Sequence, residues 1–211
     1  MSTELIIVGG GEHARVVIDA ARSDPRGWQV VGYVDEREHA ETTRRFGVPR
    51  LGDDGVLVEM GGAALVLGFG SAPRVGDEPN TRMLAVERLT RLSLPWATVI
   101  HGSAWVSSTA TIENGTVIMA GAVIQTGARI GAHVIVNSQA VIEHDVELAD
   151  HVQVAPGAVI GGGTSVGRGA YLGLGAAVRD HISIGEGAVI GMGSTVVKDV
   201  SPNTRVMGAA S

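Results

Sequence analysis

His144 stands between two acids in the run Val141-Ile142-Glu143-His144-Asp145. An imidazole titrates near neutrality, and a carboxylate beside it fixes its tautomer and favours the imidazolium, so this arrangement suits a general base. Asn137 lies seven residues upstream, and Asp150-His151-Val152-Gln153 follows downstream. A second chemically able group lies near the start of the chain. Gly9-Gly10-Gly11-Glu12-His13-Ala14 has the spacing G-x-G-x-x-A at Gly9, Gly11 and Ala14. Glycines there let backbone N–H groups approach a phosphate, and the positive end of a following helix adds partial charge. Asp35 closes the next strand, the place of an acid that takes a ribose hydroxyl. Each feature also has a plainer reading: a solvated corner for His144, and a tight turn that needs small residues for the glycines.

The elements that position these groups follow from periodicity. Taken every six residues from Ile100 to Val196, seventeen consecutive positions are Ile, Leu or Val. Two residues earlier the frame holds only Ala, Thr, Val or Ile up to Ala188, and then Ser194. Strand side chains alternate faces, so these two frames point the same way, inward. Gly follows the aliphatic residue six times, and the slots outside the two inward frames suit corners that need positive φ. Three such units make a coil of about 18 residues, and coils stack roughly 4.8 Å apart: a parallel β-helix over residues 96–211. Gly162 comes 18 residues after His144, in the same column of the next coil. Its backbone N–H is then placed for a developing oxyanion. A contact between Asp145 and His144 requires the corner to break the strand alternation.

Residues 1–95 read as a Rossmann-like nucleotide-binding domain. Glu4 to Gly9 is a buried strand, followed by a helix with Val16, Val17, Ala20 and Ala21 on one side. A second strand runs from Gln29 to Val34. A third, Ala63 to Gly68, leads into Phe69-Gly70-Ser71-Ala72-Pro73-Arg74, and a helix from about Glu78 to Leu92 follows, its apolar residues Met83, Leu84, Val86 and Leu89 keeping roughly helical spacing. This is half of a dinucleotide fold, which argues against an NAD enzyme.

A net charge of −6 and 3% aromatic residues argue against a nucleic-acid binder. No run of about 20 apolar residues is present, and a soluble, cytoplasmic protein without a membrane partner is expected. The chain has no Cys, which excludes thiolate metal sites and acyl transfer through an enzyme thioester. His133 and His151 share a column and could hold a metal together, but no closely spaced histidine pair accompanies them, and no metal is expected. Gly163-Thr164-Ser165-Val166-Gly167 lies inside the coil, without the strand-to-helix turn of a nucleophile elbow.

Four segments, GGGEHARVV, ATVIHGSAWV, NSQAVIEHD and APGAVIGGG, make the chain resemble the hexapeptide-repeat sugar acyltransferases, in the subfamily of bacillosamine and perosamine N-acetyltransferases and sialic-acid O-acetyltransferases. The resemblance covers essentially the whole chain. It implies a homotrimer of left-handed β-helices, with acetyl-CoA lying along the coils between subunits and a nucleotide-linked amino sugar as the acceptor. It places the base on His144, the orienting acid on Asp145 and the thioester-facing N–H on Gly162. Sugar and nucleotide contacts fall on Asn137, Gly9, Gly11, His13 and Asp35, and CoA contacts on Gly162, Leu174, Gly175 and Lys198, the only lysine. Three positions depart from the family pattern. Glu12 replaces a glycine and threatens to crowd a phosphate, Gly102 replaces a proline, and Gln153 replaces a histidine near the thioester. The alternatives are O-acetylation of sialic acid or a related sugar by the same residues, a β-helix metalloenzyme, or a non-catalytic nucleotide-sugar-binding scaffold.

Overall fold

The computed structural model describes residues 3–70 and 81–208. The chain divides into two compact units, Met1–Gly102 and Ser103–Ser211.

The first unit is built on four parallel strands, β1 (Glu4–Val8), β2 (Gln29–Val34), β3 (Arg50–Gly52) and β4 (Ala64–Leu67), in the order β3-β2-β1-β4. The near-continuous, buried apolar runs of the two adjacent strands β1 and β4 fit a sheet covered on both faces. The helices are α1 (Glu12–Ser23), α2 (Ala40–Phe46) and α3 (Thr81–Thr90). α1 buries Ala14, Val17, Ile18, Ala20 and Ala21. Val16, expected on that side, is exposed, because one residue back turns it about 100° from Val17. Leu84 is likewise exposed on α3, whose buried face is Arg82, Ala85, Val86 and Leu89. The expected stretch Ser71 to Arg74 and the expected helix start at Glu78 lie outside the described residues. The sequence reading had no counterpart for β3, α2 or the 3₁₀ turn Asp54–Val58. Elements of three to seven residues are too short to display a period.

Just after α1, the buried carboxylate of Asp24 accepts hydrogen bonds from Arg26 Nε at 2.9 Å, Trp28 Nε1 at 3.2 Å and the Ile100 N–H at 2.8 Å. Gly102 donates its N–H to Ser23 Oγ at 3.1 Å, and a Cβ there would meet the Ser23 carbonyl oxygen at 2.5 Å, which accounts for glycine at this position. Burial acts to raise the Asp24 pKa, but the hydrogen bonds from Arg26 and from the Ile100 and Arg26 N–H groups outweigh it and hold it below its usual value. Stability from this group is therefore complete above the unfolded carboxylate pKa and is lost as pH falls through the depressed folded value. Asp24→Asn is expected to cost about 1–3 kcal/mol at pH 7. Urea unfolding at pH 7 and at pH 3 checks this, since the variant should lose less stability on acidification than the parent.

The second unit is a left-handed parallel β-helix of two-residue strands in three sheets. The first sheet stacks Trp105–Val106, Val123–Ile124, Val141–Ile142, Val159–Ile160, Ala177–Val178 and Thr195–Val196. The second stacks Thr111–Ile112, Arg129–Ile130, Glu147–Leu148, Ser165–Val166 and Ser183–Ile184. The third includes Val117–Ile118, Ile135–Val136, Gln153–Val154, Tyr171–Leu172 and Val189–Ile190. Pairing joins residues 18 apart, as in Val141 with Val159 and Ile142 with Ile160. The inward frames are fully buried at Ala140, Ile142, Ala158 and Ile160.

Positive φ recurs three residues before each aliphatic position, at fourteen consecutive corners from Gly115 to Gly193. Nine are glycine; the other five are His133, Gln139, Asp145, His151 and His181. The glycines that directly follow the aliphatic residue serve another purpose, room: a Cβ at Gly161 would meet the Asp180 nitrogen of the next coil at 2.5 Å. His133 and His151 are both buried, with rings 5.2 Å apart and 8° from parallel, stacked face to face rather than aimed at a common point. Among the described residues no group of three or more His, Cys, Asp or Glu could hold a metal ion, and no helix is long and apolar enough to cross a membrane.

Candidate active site

His144 and Asp145 form the corner between the first and second sheets. Asp145 takes the left-handed conformation, φ 57°, and this breaks the strand alternation so that neighbouring side chains meet. His144 Nδ1 lies 3.1 Å from Asp145 Oδ2. With the carboxylate accepting the Nδ1 proton, Nε2 is left as the basic nitrogen. That nitrogen abuts Gly162: a Cβ there would come within 2.6 Å of His144 Cε1 and closer still to Nε2. On the other side, a Cβ at Gly127 would collide with Asp145 Oδ1. The pair is thus accommodated by two glycines, one a coil below Asp145 and one a coil above His144. The Gly162 carbonyl accepts from the His181 N–H at 2.9 Å, while its own N–H has no acceptor among the described residues. A base and an uncommitted backbone donor therefore share one corner, where the His144 side chain is 52% accessible and Gly162 is buried beneath it.

The coil places the other expected residues as follows. Lys198 is exposed and falls in the column of His144 and Gly162, three coils on. Asn137, whose Oδ1 accepts from the Ser138 N–H at 2.9 Å, lies at a different corner, between the third and first sheets, as do Leu174 and Gly175. Gln153 is only 5% exposed and lies on the third sheet, in register with Ile135 and Tyr171. Nine residues from His144 is half a coil, so Gln153 lies across the triangle from the His144 corner and the chain does not bring the two together.

The first unit carries its own cleft, about 600 Å³, at the carboxyl ends of its strands. That is where open α/β sheets bind ligands. Its lining includes Gly9, Gly11, Asp35, Glu36, His39, Asp53, Asp54, Phe69 and Arg88. Gly9 has φ 94°, and a Cβ on it would meet Phe69 Cδ1 at 2.9 Å. Gly10 is clamped: its N–H donates to Asp35 Oδ2 at 2.9 Å, and its carbonyl accepts from Thr42 Oγ1 at 2.6 Å. A Cβ on it would strike the rings of Tyr33 and His39. Asp35 Oδ2 also meets His39 Nε2 at 3.0 Å, and Oδ1 accepts from the Arg37 N–H at 3.1 Å. Burial acts to raise the Asp35 pKa, but the N–H groups of Gly10 and Arg37, together with His39, pull it below the usual range. Asp35 therefore shapes the turn as well as facing the cleft. The side chain of Glu12 is 96% exposed and lies 3.6 Å from Arg15, so it does not crowd the turn. α1 starts at Gly11 with no side-chain cap, which leaves its first N–H groups to other partners.

His13 does not line this cleft. Its Nε2 is enclosed, with no hydrogen-bond partner among the described residues. Burial first, and then the charge of Arg82, lowers its pKa to about 4, so the ring is neutral at physiological pH. Sequence reasoning missed His39, Arg82 and the Asp53, Asp54 and Arg88 wall. His39 follows Asp35 by four residues in a polar stretch and was legible as a second His–Asp pair. Arg82, fully buried and donating to the Phe69 carbonyl, carried no sequence signal.

Residues 4–71 match the PglD N-terminal domain, and residues 109–144 and 127–162 match the bacterial transferase hexapeptide (six repeats). No curated protein matches at the sequence level. Among solved structures, the acetyltransferase domain of PglB from Neisseria gonorrhoeae in complex with acetyl coenzyme A is 28% identical, with a TM-score of 0.88 over 99% of this chain and 97% of that one. A histidine mutant of perosamine N-acetyltransferase from Caulobacter crescentus, in complex with CoA and GDP-perosamine, is 30% identical, with a TM-score of 0.84 over 97% and 93%. WeeI from Acinetobacter baumannii, at 20% identity and a TM-score of 0.79 over 98% and 97%, shares the fold.

Proposed function

Because the chain belongs to the hexapeptide-repeat sugar N-acetyltransferases, we propose that it moves the acetyl group of acetyl-CoA to the amine of a nucleotide-linked amino sugar, with His144 as general base. The observation that carries this reading is the corner where His144 Nε2 meets Gly162 while Asp145 holds Nδ1. The amine nitrogen attacks the thioester carbonyl carbon, and Nε2 takes the proton that the nitrogen sheds. The Gly162 N–H donates to the oxyanion that forms. Collapse of that intermediate breaks the C–S bond, and the imidazolium returns its proton to the CoA sulfur. The products are an amide and free CoA thiol. Attack within a ternary complex needs no enzyme nucleophile, in keeping with a chain that has no Cys, and holding both substrates in place supplies a large part of the acceleration.

Gly9, Gly11 and Asp35 would receive the nucleotide part of the sugar, with the bare N-terminus of α1 facing its phosphates. The half-coil separation of Gln153 from His144, and the separate corner of Asn137, Leu174 and Gly175, support a site completed by a neighbouring copy in a homotrimer. CoA would then lie between the Gly162 and Lys198 column of one copy and the Leu174 and Gly175 corner of another.

Release of CoA thiol tests the reaction, since a chain without Cys gives no thiol background. Acetyl-CoA is offered with UDP-, GDP- and dTDP-linked 4-amino sugars and with sialic acid. Turnover with an amino sugar is the expected result. Turnover with sialic acid alone would transfer the assignment to O-acetylation. No turnover and no CoA binding would overturn the acyltransferase reading.

A further inference from the structure

The corner that carries His144 holds a second imidazole. His181 lies two coils beyond Asp145 in the same column, at the turn from Ala177–Val178 on the first sheet to Ser183–Ile184 on the second. Its ring reaches back over Gly163: a Cβ on that glycine would come within 2.6 Å of His181 Cε1 and closer still to Nδ1. His144 Nε2 lies against Gly162 in the same way. The two imidazoles therefore flank one peptide bond, Gly162–Gly163, His144 from the coil below and His181 from the coil above. That peptide is pinned on both sides. Its carbonyl accepts from the His181 N–H, and its N–H donates to the His144 carbonyl, both at 2.9 Å.

His181 is left-handed, φ 53°, where glycine serves at nine of the fourteen corners. A residue with a β-carbon is strained there. His133 and His151 offset that strain by burial and stacking, and Asp145 by its bond to His144. His181 is exposed, and among the described residues its ring makes no hydrogen bond or ion pair. Strain of this kind gathers at functional sites. The chemistry fits the place. An imidazole accepts a proton at one nitrogen and donates from the other, so it passes a proton on without holding charge. In the reaction above, the amine loses its proton on the His144 side of the Gly162 N–H. The pantetheine arm then leads from the sulfur along the column toward Lys198, past the coil of His181.

We propose that His181 is a second catalytic imidazole, through which the departing CoA sulfur receives its proton. As the C–S bond breaks, its electron pair goes to sulfur and the sulfur takes a proton from His181. The proton that His144 removed from the amine then replaces it, over the accessible faces of the two rings, so no net proton is taken up or released. The proposal rests on the acyl-transfer reading with His144 as base. Thiol release by the full chain, with the nucleotide-linked 4-amino sugars of the panel above as acceptors, tests it on His181→Asn and His181→Gly. Both replacements tolerate the left-handed corner, so the coil is kept. With acetyl-CoA, kcat should fall about tenfold or more while KM for acetyl-CoA stays nearly unchanged. S-phenyl thioacetate releases a weakly basic thiolate that leaves without a proton. With that donor either variant should come within about twofold of the parent, while His144→Ala stays impaired with both donors. A loss of the same size with both donors, an unchanged kcat, or a raised KM alone would overturn the role of His181 and leave the acyl-transfer reading standing. No turnover by the unaltered protein with either donor would overturn that reading and this proposal together.

Discussion

His144→Ala is expected to lower kcat by about 10²–10⁴ while CoA and the nucleotide sugar still bind. The side chain is half accessible and packs at a corner, not in the inner frames of the coil, so its removal leaves the fold intact. What disappears is the nitrogen that lies against Gly162. A hydroxyl acceptor needs its proton removed more than an amine does, so the size of the loss also reports on the acceptor: the lower end of the range for an amine, the upper end for a hydroxyl. Steady-state thiol release, with ligand affinities measured separately, checks the split. An unchanged kcat would remove His144 from the base role. Asp145→Asn should fall in between, because an amide at that position still reaches Nδ1 but no longer stabilises the imidazolium.

Gly162→Ala is expected to cost nearly as much activity as His144→Ala, with little loss of stability. An added Cβ would lie within 2.6 Å of His144 Cε1 and closer to Nε2, a separation that forces one of them to move. The imidazole is the softer of the two, since it is accessible and can swing outward, whereas the Gly162 carbonyl is held by the His181 N–H at 2.9 Å. Gly162 is not among the positive-φ residues, so alanine brings no backbone strain there. The useful contrast is Gly47→Ala. Gly47 caps α2 with φ 64° and a Cβ there meets nothing within 4 Å. That change should cost about 1 kcal/mol through left-handed strain and leave kcat alone. Thermal unfolding and thiol release on both variants separate the two effects. A fully active Gly162→Ala protein would show that the base does not work from against this glycine.

The register of the coil was legible in the sequence because it is local. Each coil pairs with the one 18 residues away, so a column can be counted off, and Gly162 above His144 came from that count alone. The half-coil offset of Gln153 was countable in the same way. The corner conformation was not, because the frame of positive φ accepts residues other than glycine, and five of fourteen positions use them. Only the folded chain shows that Asp145 is one of these, which is why its carboxylate turns onto the imidazole. The first unit was legible only at its centre. β1, β2 and the glycine turn have strong local patterns, whereas the cleft wall joins Asp54 to Arg88 across 34 residues, through a 3₁₀ turn and an edge strand too short to announce themselves.

The amino-acid sequence by itself determined the β-helix, its period, the column that stacks Gly162 on His144 and the glycine-rich turn after β1, because each is written in contacts between residues at fixed, countable separations. The tertiary structure alone decided which imidazole nitrogen is free, how Asp35 and Thr42 clamp Gly10, that His13 is enclosed and neutral, and which residues line the cleft of the first unit. Those outcomes depend on close packing between segments whose separation follows no period, and packing of that kind is settled only when the chain has closed on itself.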